Sequence, residues 1–173
     1  LTAYVAIALM QAGETIGSAK SIQYLERELD SADDPYTVAL IACALELAGS
    51  EASGEAYDKL MRLAKDSEDG LYWGSDDMIF PDSGVKQPGL RGMPLQPKAQ
   101  TSSIEATAYA TLALIKHGDN LNASRAAKWL VSKRNAFGGY GSTQDTVMSL
   151  QALIEYSSGA KSDVDLTVDI EYG

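Results

Sequence analysis

An all-α fold of repeated helical hairpins is predicted by three features of the chain. First, an alanine-rich apolar segment opening on threonine recurs four times, as Thr2-Ala-Tyr-Val-Ala-Ile-Ala-Leu9, Thr37-Val-Ala-Leu-Ile-Ala-Cys-Ala-Leu45, Thr107-Ala-Tyr-Ala-Thr-Leu-Ala-Leu114 and Thr146-Val-Met-Ser-Leu-Gln-Ala-Leu153. The opening threonines lie 35, 70 and 39 residues apart. That is the period of a helix pair, with one copy lost to an irregular stretch. Second, the segments between the repeats carry a narrower apolar stripe at helical spacing with charged residues opposite: Ile22, Leu25 and Leu29; Tyr57, Leu60, Met61 and Ala64; Ala126, Ala127, Leu130 and Val131. Third, the repeats are apolar over a wider arc, as in Leu40, Ile41, Ala44, Leu45 and Ala48, which suits a helix packed on two sides. The repeats are therefore expected on an inner ring and the amphipathic helices outside it.

Seven helices follow in order, near 2–12, 18–29, 35–48, 53–66, 103–117, 122–135 and 143–157. Gly13, Gly49 and Gly118 read as helix ends, Ser102 with Glu105 as a capping box, and Asn122 as an N-cap. Residues 67–101 break the rhythm with Pro81, Pro88, Pro94 and Pro97 among Gly70, Gly74, Gly84, Gly89 and Gly92. This is expected to be a long surface loop, of the length that is usually either mobile or functional. At the end of the chain the period changes to two, with Val164, Leu166, Val168 and Ile170 alternating with Asp163, Asp165, Thr167, Asp169 and Glu171. A half-buried strand is expected there, paired with a neighbouring domain because a lone strand cannot satisfy its own backbone. Two units result: 1–158 as a helical domain, and 159–173 as linker and first strand of an adjoining β domain.

The 173 residues are 45% hydrophobic, enough for one sizeable core, and the net charge is −10 from 24 acids and 14 bases. Such a balance disfavours nucleic acid and supplies no polybasic stretch for an anionic membrane. No run approaches the roughly 20 apolar residues of a membrane span, so no membrane insertion is expected. Leu1 falls inside a helical pattern, from which the chain is expected to be part of something longer. A single cysteine permits no internal disulfide and does not separate compartments.

The chemistry-bearing residues are few. Cys43 lies on the most apolar helix without a neighbouring His, Lys or Arg in sequence, and reads as a small buried hydrophobe. His117, the sole histidine, falls in the last turn of its helix, where a cation suits the helix dipole. Nothing in the sequence joins the two into a nucleophile and base. Asp76, Asp77 and Asp82 lack the spacing and glycine of a calcium loop, and no Cys/His set exists for zinc. Gly138-Gly-Tyr-Gly-Ser-Thr143 precedes a helix, but no Gly-Lys-Ser/Thr follows, so a tight turn with Ser142 or Thr143 capping the next helix is expected rather than a phosphate cradle. Asn122-Ala-Ser124 fits a glycosylation acceptor, though its Asn doubles as the expected cap. Tyr109, Trp129 and Tyr140 read as core. No catalytic, cofactor-binding or metal-ligating residue is assigned, and no cofactor.

One combination goes beyond periodicity: Ser103-Ile-Glu-Ala-Thr-Ala-Tyr109, Ala127-Lys-Trp-Leu-Val-Ser-Lys-Arg-Asn135, Gly138-Gly-Tyr-Gly-Ser-Thr-Gln-Asp-Thr-Val147 and Leu150-Gln-Ala-Leu153. It resembles the thioester-containing domain of the alpha-2-macroglobulin and complement superfamily, over residues 1 to about 158. The resemblance implies a squalene-cyclase-like α/α toroid of concentric hairpins, here a partial ring, flanked by a CUB-like β-sandwich to which the terminal strand would belong. It implies an extracellular or cell-surface parent acting as a broad-range endopeptidase inhibitor that traps proteases, with complement-like opsonisation as the alternative. The family's thioester motif, Gly-Cys-Gly-Glu-Gln, is absent from this chain, and neither Cys43 nor His117 matches the family's reactive residues. The expectation is a scaffold portion, not an enzyme, whose partners are proteases through the parent and neighbouring domains of that parent. Missing hairpins would leave apolar flanks, so self-association is expected. Terpene cyclases and protein prenyltransferases share a ring of hairpins, but the Asp-rich or zinc-binding set that they need is not present.

Overall fold

A computed structural model of the chain describes residues 1–14, 18–74 and 98–160. Among them are seven helices, α1 (Thr2–Gln11), α2 (Ser18–Leu29), α3 (Pro35–Ala48), α4 (Ser53–Arg62), α5 (Lys98–His117), α6 (Asn120–Ser132) and α7 (Thr143–Ala160), with strands β1 (Lys65–Ser67) and β2 (Gly70–Tyr72). The four repeats are α1, α3, α5 and α7. They pack in a row, α1 on α3, α3 on α5 and α5 on α7, while α2, α4 and α6 each bridge two neighbours along the row.

Small side chains let the row close up. Every residue from Val38 to Leu45 on α3 is buried, as is every residue from Glu105 to Leu114 on α5. Alanines 39, 42, 44, 106, 108 and 110 are fully buried, so backbones approach closely with little side-chain entropy lost. The threonines of α5 enter this apolar setting by bonding to their own helix: Thr107 donates to the Ser103 carbonyl and Thr111 to the Thr107 carbonyl, each at 2.7 Å. The bridging helices bury the anticipated Ile22, Leu25 and Leu29 on α2 and Ala126, Ala127 and Leu130 on α6, while on α4 the buried pair is Leu60 with Ala56, and the anticipated Tyr57 and Met61, with Ala64 just beyond the helix, are half-buried. Val131 departs from its stripe and lies exposed.

Helix ends follow capping chemistry. Asp34 accepts from the Thr37 amide at 2.9 Å, and Gly49 closes α3 in the left-handed region at φ 62°. Gly13 and Gly118 also take positive φ at their helix ends. Two expected caps are corrected. Asp119, not Asn122, caps α6, because α5 ends directly before it and its carboxylate accepts from the Asn122 amide at 3.1 Å. No capping box opens at Ser102: the good helix formers Lys98, Ala99 and Gln100 carry α5 upstream of it, leaving Glu105 well inside the helix.

The stretch after α4 also differs from expectation. The helix stops at Arg62, and β1 and β2 form an antiparallel hairpin with Asp66 opposite Leu71, in place of helix to 66 and loop beyond. Glu68-Asp69 supplies the two-residue turn, and Gly70, which opens β2, adopts φ 136°. The hairpin lies on α6. Tyr72 stacks on Trp129 with ring centroids 5.0 Å apart, Lys133 sits over Trp129 and pairs with Asp69 at 2.8 Å, and Arg125 pairs with Asp66. Trp73 follows, fully buried, its indole donating to the Leu60 carbonyl at 2.7 Å and its amide to the Thr107 hydroxyl at 3.1 Å. At the other end, α7 runs to Ala160, and the strand read over 163–171 lies outside the described residues.

Candidate functional site

The described residues bring polar groups together at the two ends of the inner row. At the C-terminal ends, a cavity of about 400 Å³ opens between α1, α3, α5 and α7, lined by Gln11, Cys43, Leu47, Leu112, Lys116, Gln151 and Glu155. Lys116 and Glu155 pair across its rim at 2.9 Å. Cys43 is 1% exposed, and burial pushes its thiol up to about 12 despite Lys116, which acts in the opposite sense. A thiol in that state is a packing group and a poor nucleophile.

His117 faces elsewhere. Its ring stacks on Tyr57 at a centroid distance of 3.9 Å, and Nδ1 lies 2.6 Å from Glu46 Oε1. The Tyr57 hydroxyl donates to Asp119 at 2.8 Å. Burial pulls the Asp119 carboxyl upward, but the Asn122 side-chain and backbone donors, Tyr57 and His117 together hold it below the usual range. This network ties the ends of α3 and α5 to α4 and α6. It engages Asn122 as well, whose amide donates to Asp119 at 2.7 Å and whose carbonyl accepts from Arg125.

At the N-terminal ends of the row lies a cluster that sequence reasoning did not assemble. Glu105 is 6% exposed, and its Oε1 accepts from the Tyr36 hydroxyl at 2.9 Å and from Gln144 Nε2 at 2.7 Å. One buried carboxylate thus joins α3, α5 and α7. Next to Gln144, Asp145 is fully buried and shares a reciprocal pair of bonds with Ser142, whose hydroxyl donates to Oδ2 at 2.8 Å and accepts from the Asp145 amide at 3.0 Å. Ser142 is therefore the cap of α7, and the glycine-rich segment before it is a turn in which Asn135 accepts from the Phe137 and Gly139 amides. Tyr109, Trp129 and Tyr140 are buried as expected.

Among the described residues no three His, Cys, Asp or Glu side chains gather to hold a metal, and no helix is long and apolar enough to cross a membrane. Asp76, Asp77 and Asp82 lie outside the described residues.

Comparison with known proteins gives this arrangement its family. Residues 1–156 match the model of the A-macroglobulin TED domain. The chain is 30% identical over 178 residues to ovostatin of Gallus gallus, which covers 97% of this chain and 12% of that protein. It is 32% identical over 182 residues to complement C3 of Oncorhynchus mykiss and 29% over 186 residues to complement C3 of Lethenteron camtschaticum, covering 99% and 98% of this chain and 10% of each relative. The chain thus spans about a tenth of the length of these relatives. An alanine-rich row of four helices, bridged by amphipathic partners and matched over nearly its whole length, belongs to the A-macroglobulin TED domain family.

Proposed function

We propose that this chain is the scaffold portion of a thioester-type domain in a secreted protease trap, and that it performs no catalysis itself. The carrying observation is where apolar surface remains uncovered. The two end helices of the row keep apolar residues in solvent, Tyr4 and Val5 on α1 and Val147, Leu150 and Ile154 on α7, while the described residues of α3 and α5 between them expose no large apolar side chain. Val147, Leu150 and Ile154 fall at i, i+3 and i+7, so they form one face. Such faces fit a section of a larger helical body, a partial α/α toroid whose further hairpins come from the rest of the parent. On this reading residues 1–158 are the toroid section and 159–173 lead into the adjoining β domain. The inert setting of Cys43 fits a supporting role, with the thioester supplied upstream.

The test uses the longer polypeptide that carries this domain. After cleavage by several unrelated proteases it should retain them and block their attack on large substrates, and methylamine should release a new thiol upstream of Leu1. Proteases left free and fully active would refute the trap. Complement-like opsonisation is the second function, favoured by the similarity to two complement C3 chains. Covalent deposition on surfaces without protease retention would select it. The isolated chain should self-associate through its uncovered faces, and a monomer by light scattering at high concentration would count against them.

A further inference from the structure

We infer that Asp145 is a proton-operated latch on the first turn of α7: with its carboxyl protonated the turn is seated against α5, and ionisation loosens it. The geometry begins with burial. Asp145 has no exposed surface, its Oδ2 is bound to Ser142, and its Oδ1 has no hydrogen-bond partner among the described residues. An ionised carboxylate in that position would keep a charge out of water with one oxygen unsolvated, whereas a protonated one carries no charge.

One neighbouring charge adds to this cost. From α5 the facing charge is Glu105, an acid, which is already occupied by Tyr36 of α3 and by Gln144. In the turn after α6 the polar groups are engaged elsewhere: the Tyr140 hydroxyl donates to the Leu130 carbonyl at 2.8 Å, and Arg134 Nε donates to the Gly138 carbonyl at 2.9 Å. Lys116 of α5 and Glu155 of α7 neutralise one another at the far end. Burial pushes the Asp145 carboxyl up to about 6, with Ser142 drawing it down and Glu105 adding to the rise. The dipole at the α7 N-terminus favours a negative charge but is outweighed by burial.

The sign follows from a closed-state value near 6 against about 3.9 for an exposed Asp. The latch is fully seated below about pH 4, loosens as pH rises through 6, and changes little above about 7. The open population grows roughly 100-fold across that window. Because α7 carries the uncovered Val147, Leu150 and Ile154 face, the latch sets how firmly that edge is held at neutral against acidic pH.

Amide hydrogen exchange over the first turn of α7, corrected for the intrinsic pH dependence of exchange, tests this at pH 4.5 and 7.5. Wild type should lose protection by at least about tenfold at the higher pH, and Asp145→Asn should not. Equal pH dependence in both would overturn the latch. If the variant misfolds, the carboxyl ¹³C titration of Asp145 in the wild type decides: a midpoint near 6 supports the latch, and one in the ordinary Asp range near 3.9 overturns it.

Discussion

Gly70 and Gly54 should respond in opposite directions to the same substitution. A Cβ on Gly70 would stand 2.1 Å from the Arg125 carbonyl oxygen and 3.2 Å from both the Arg125 carbonyl carbon and the Trp129 nitrogen. All three are backbone atoms of α6, so no side chain can swing aside. Relief requires the hairpin to lift from the helix, which loosens the Tyr72–Trp129 stack and uncovers Leu71. Overpacking of this kind costs about 1–3 kcal/mol. The φ of 136° adds strain for any L side chain, of the order of 1–2 kcal/mol. Gly70→Ala should therefore lose about 2–5 kcal/mol, a large fraction of the 5–15 kcal/mol typical of a domain. Gly54, by contrast, is exposed in the first turn of α4, and a methyl group added there would meet nothing within 4 Å. Gly54→Ala should gain about 0.5–1 kcal/mol from reduced freedom in the unfolded chain. Urea denaturation of both variants beside wild type measures the difference. A loss under about 1 kcal/mol for Gly70→Ala would refute the close docking of the hairpin on α6.

The other predictions probe packing, capping, buried hydrogen bonds and the thiol. Ala44→Phe and Ala110→Phe, both at fully buried positions, should each cost about 1–3 kcal/mol, and wild-type-like melting would contradict their place inside the row. Asp34→Ala removes the cap that accepts from the amide and hydroxyl of Thr37, and should cost about 0.5–2 kcal/mol, read from the shift in denaturant midpoint. Thr107→Val keeps the shape but strands the buried Trp73 amide, for a loss of about 1–3 kcal/mol, and no loss would show that this amide finds another acceptor. Cys43 should resist a thiol reagent at pH 8 until the chain unfolds, given a thiol pushed up to about 12, and rapid reaction of the native protein would refute its burial.

The helices were legible because their signal is collective. Four repeats and three stripes each spread over several positions of a helix, and the boundaries of α2 and α3 were readable to the residue. What escaped depended on single contacts between distant segments. The hairpin is only three residues per strand, too short for a period, and it exists because Trp129, Arg125, Lys128 and Lys133 on α6 and just beyond it hold it. The role of Glu105 was hidden for a related reason. Its spacing from Ser102 fits a local cap, while its true partners lie 69 and 39 residues away. Gln144-Asp145 was visible as part of a family pattern, but the burial of Asp145 follows from α7 packing on α5, which no local sequence encodes.

The alanine-rich row also accounts for where the remaining polar chemistry sits. A helix buried on several sides, as α5 is, has room only for small or apolar side chains and for hydroxyls that bond to their own backbone, as Thr107 and Thr111 do. Groups needing outside partners are displaced towards helix ends, where backbones diverge and loops supply donors. Glu46, His117 and Asp119 gather at one end, and Tyr36, Gln144 and Ser142 at the other, where Tyr36 and Gln144 reach the exception, Glu105 inside α5. Asp145 belongs to the second group by position yet is as buried as the middle of the row. It is the one fully buried carboxyl in the described core with an unmatched oxygen, and a row otherwise built from uncharged close contacts tolerates it most readily when it holds a proton.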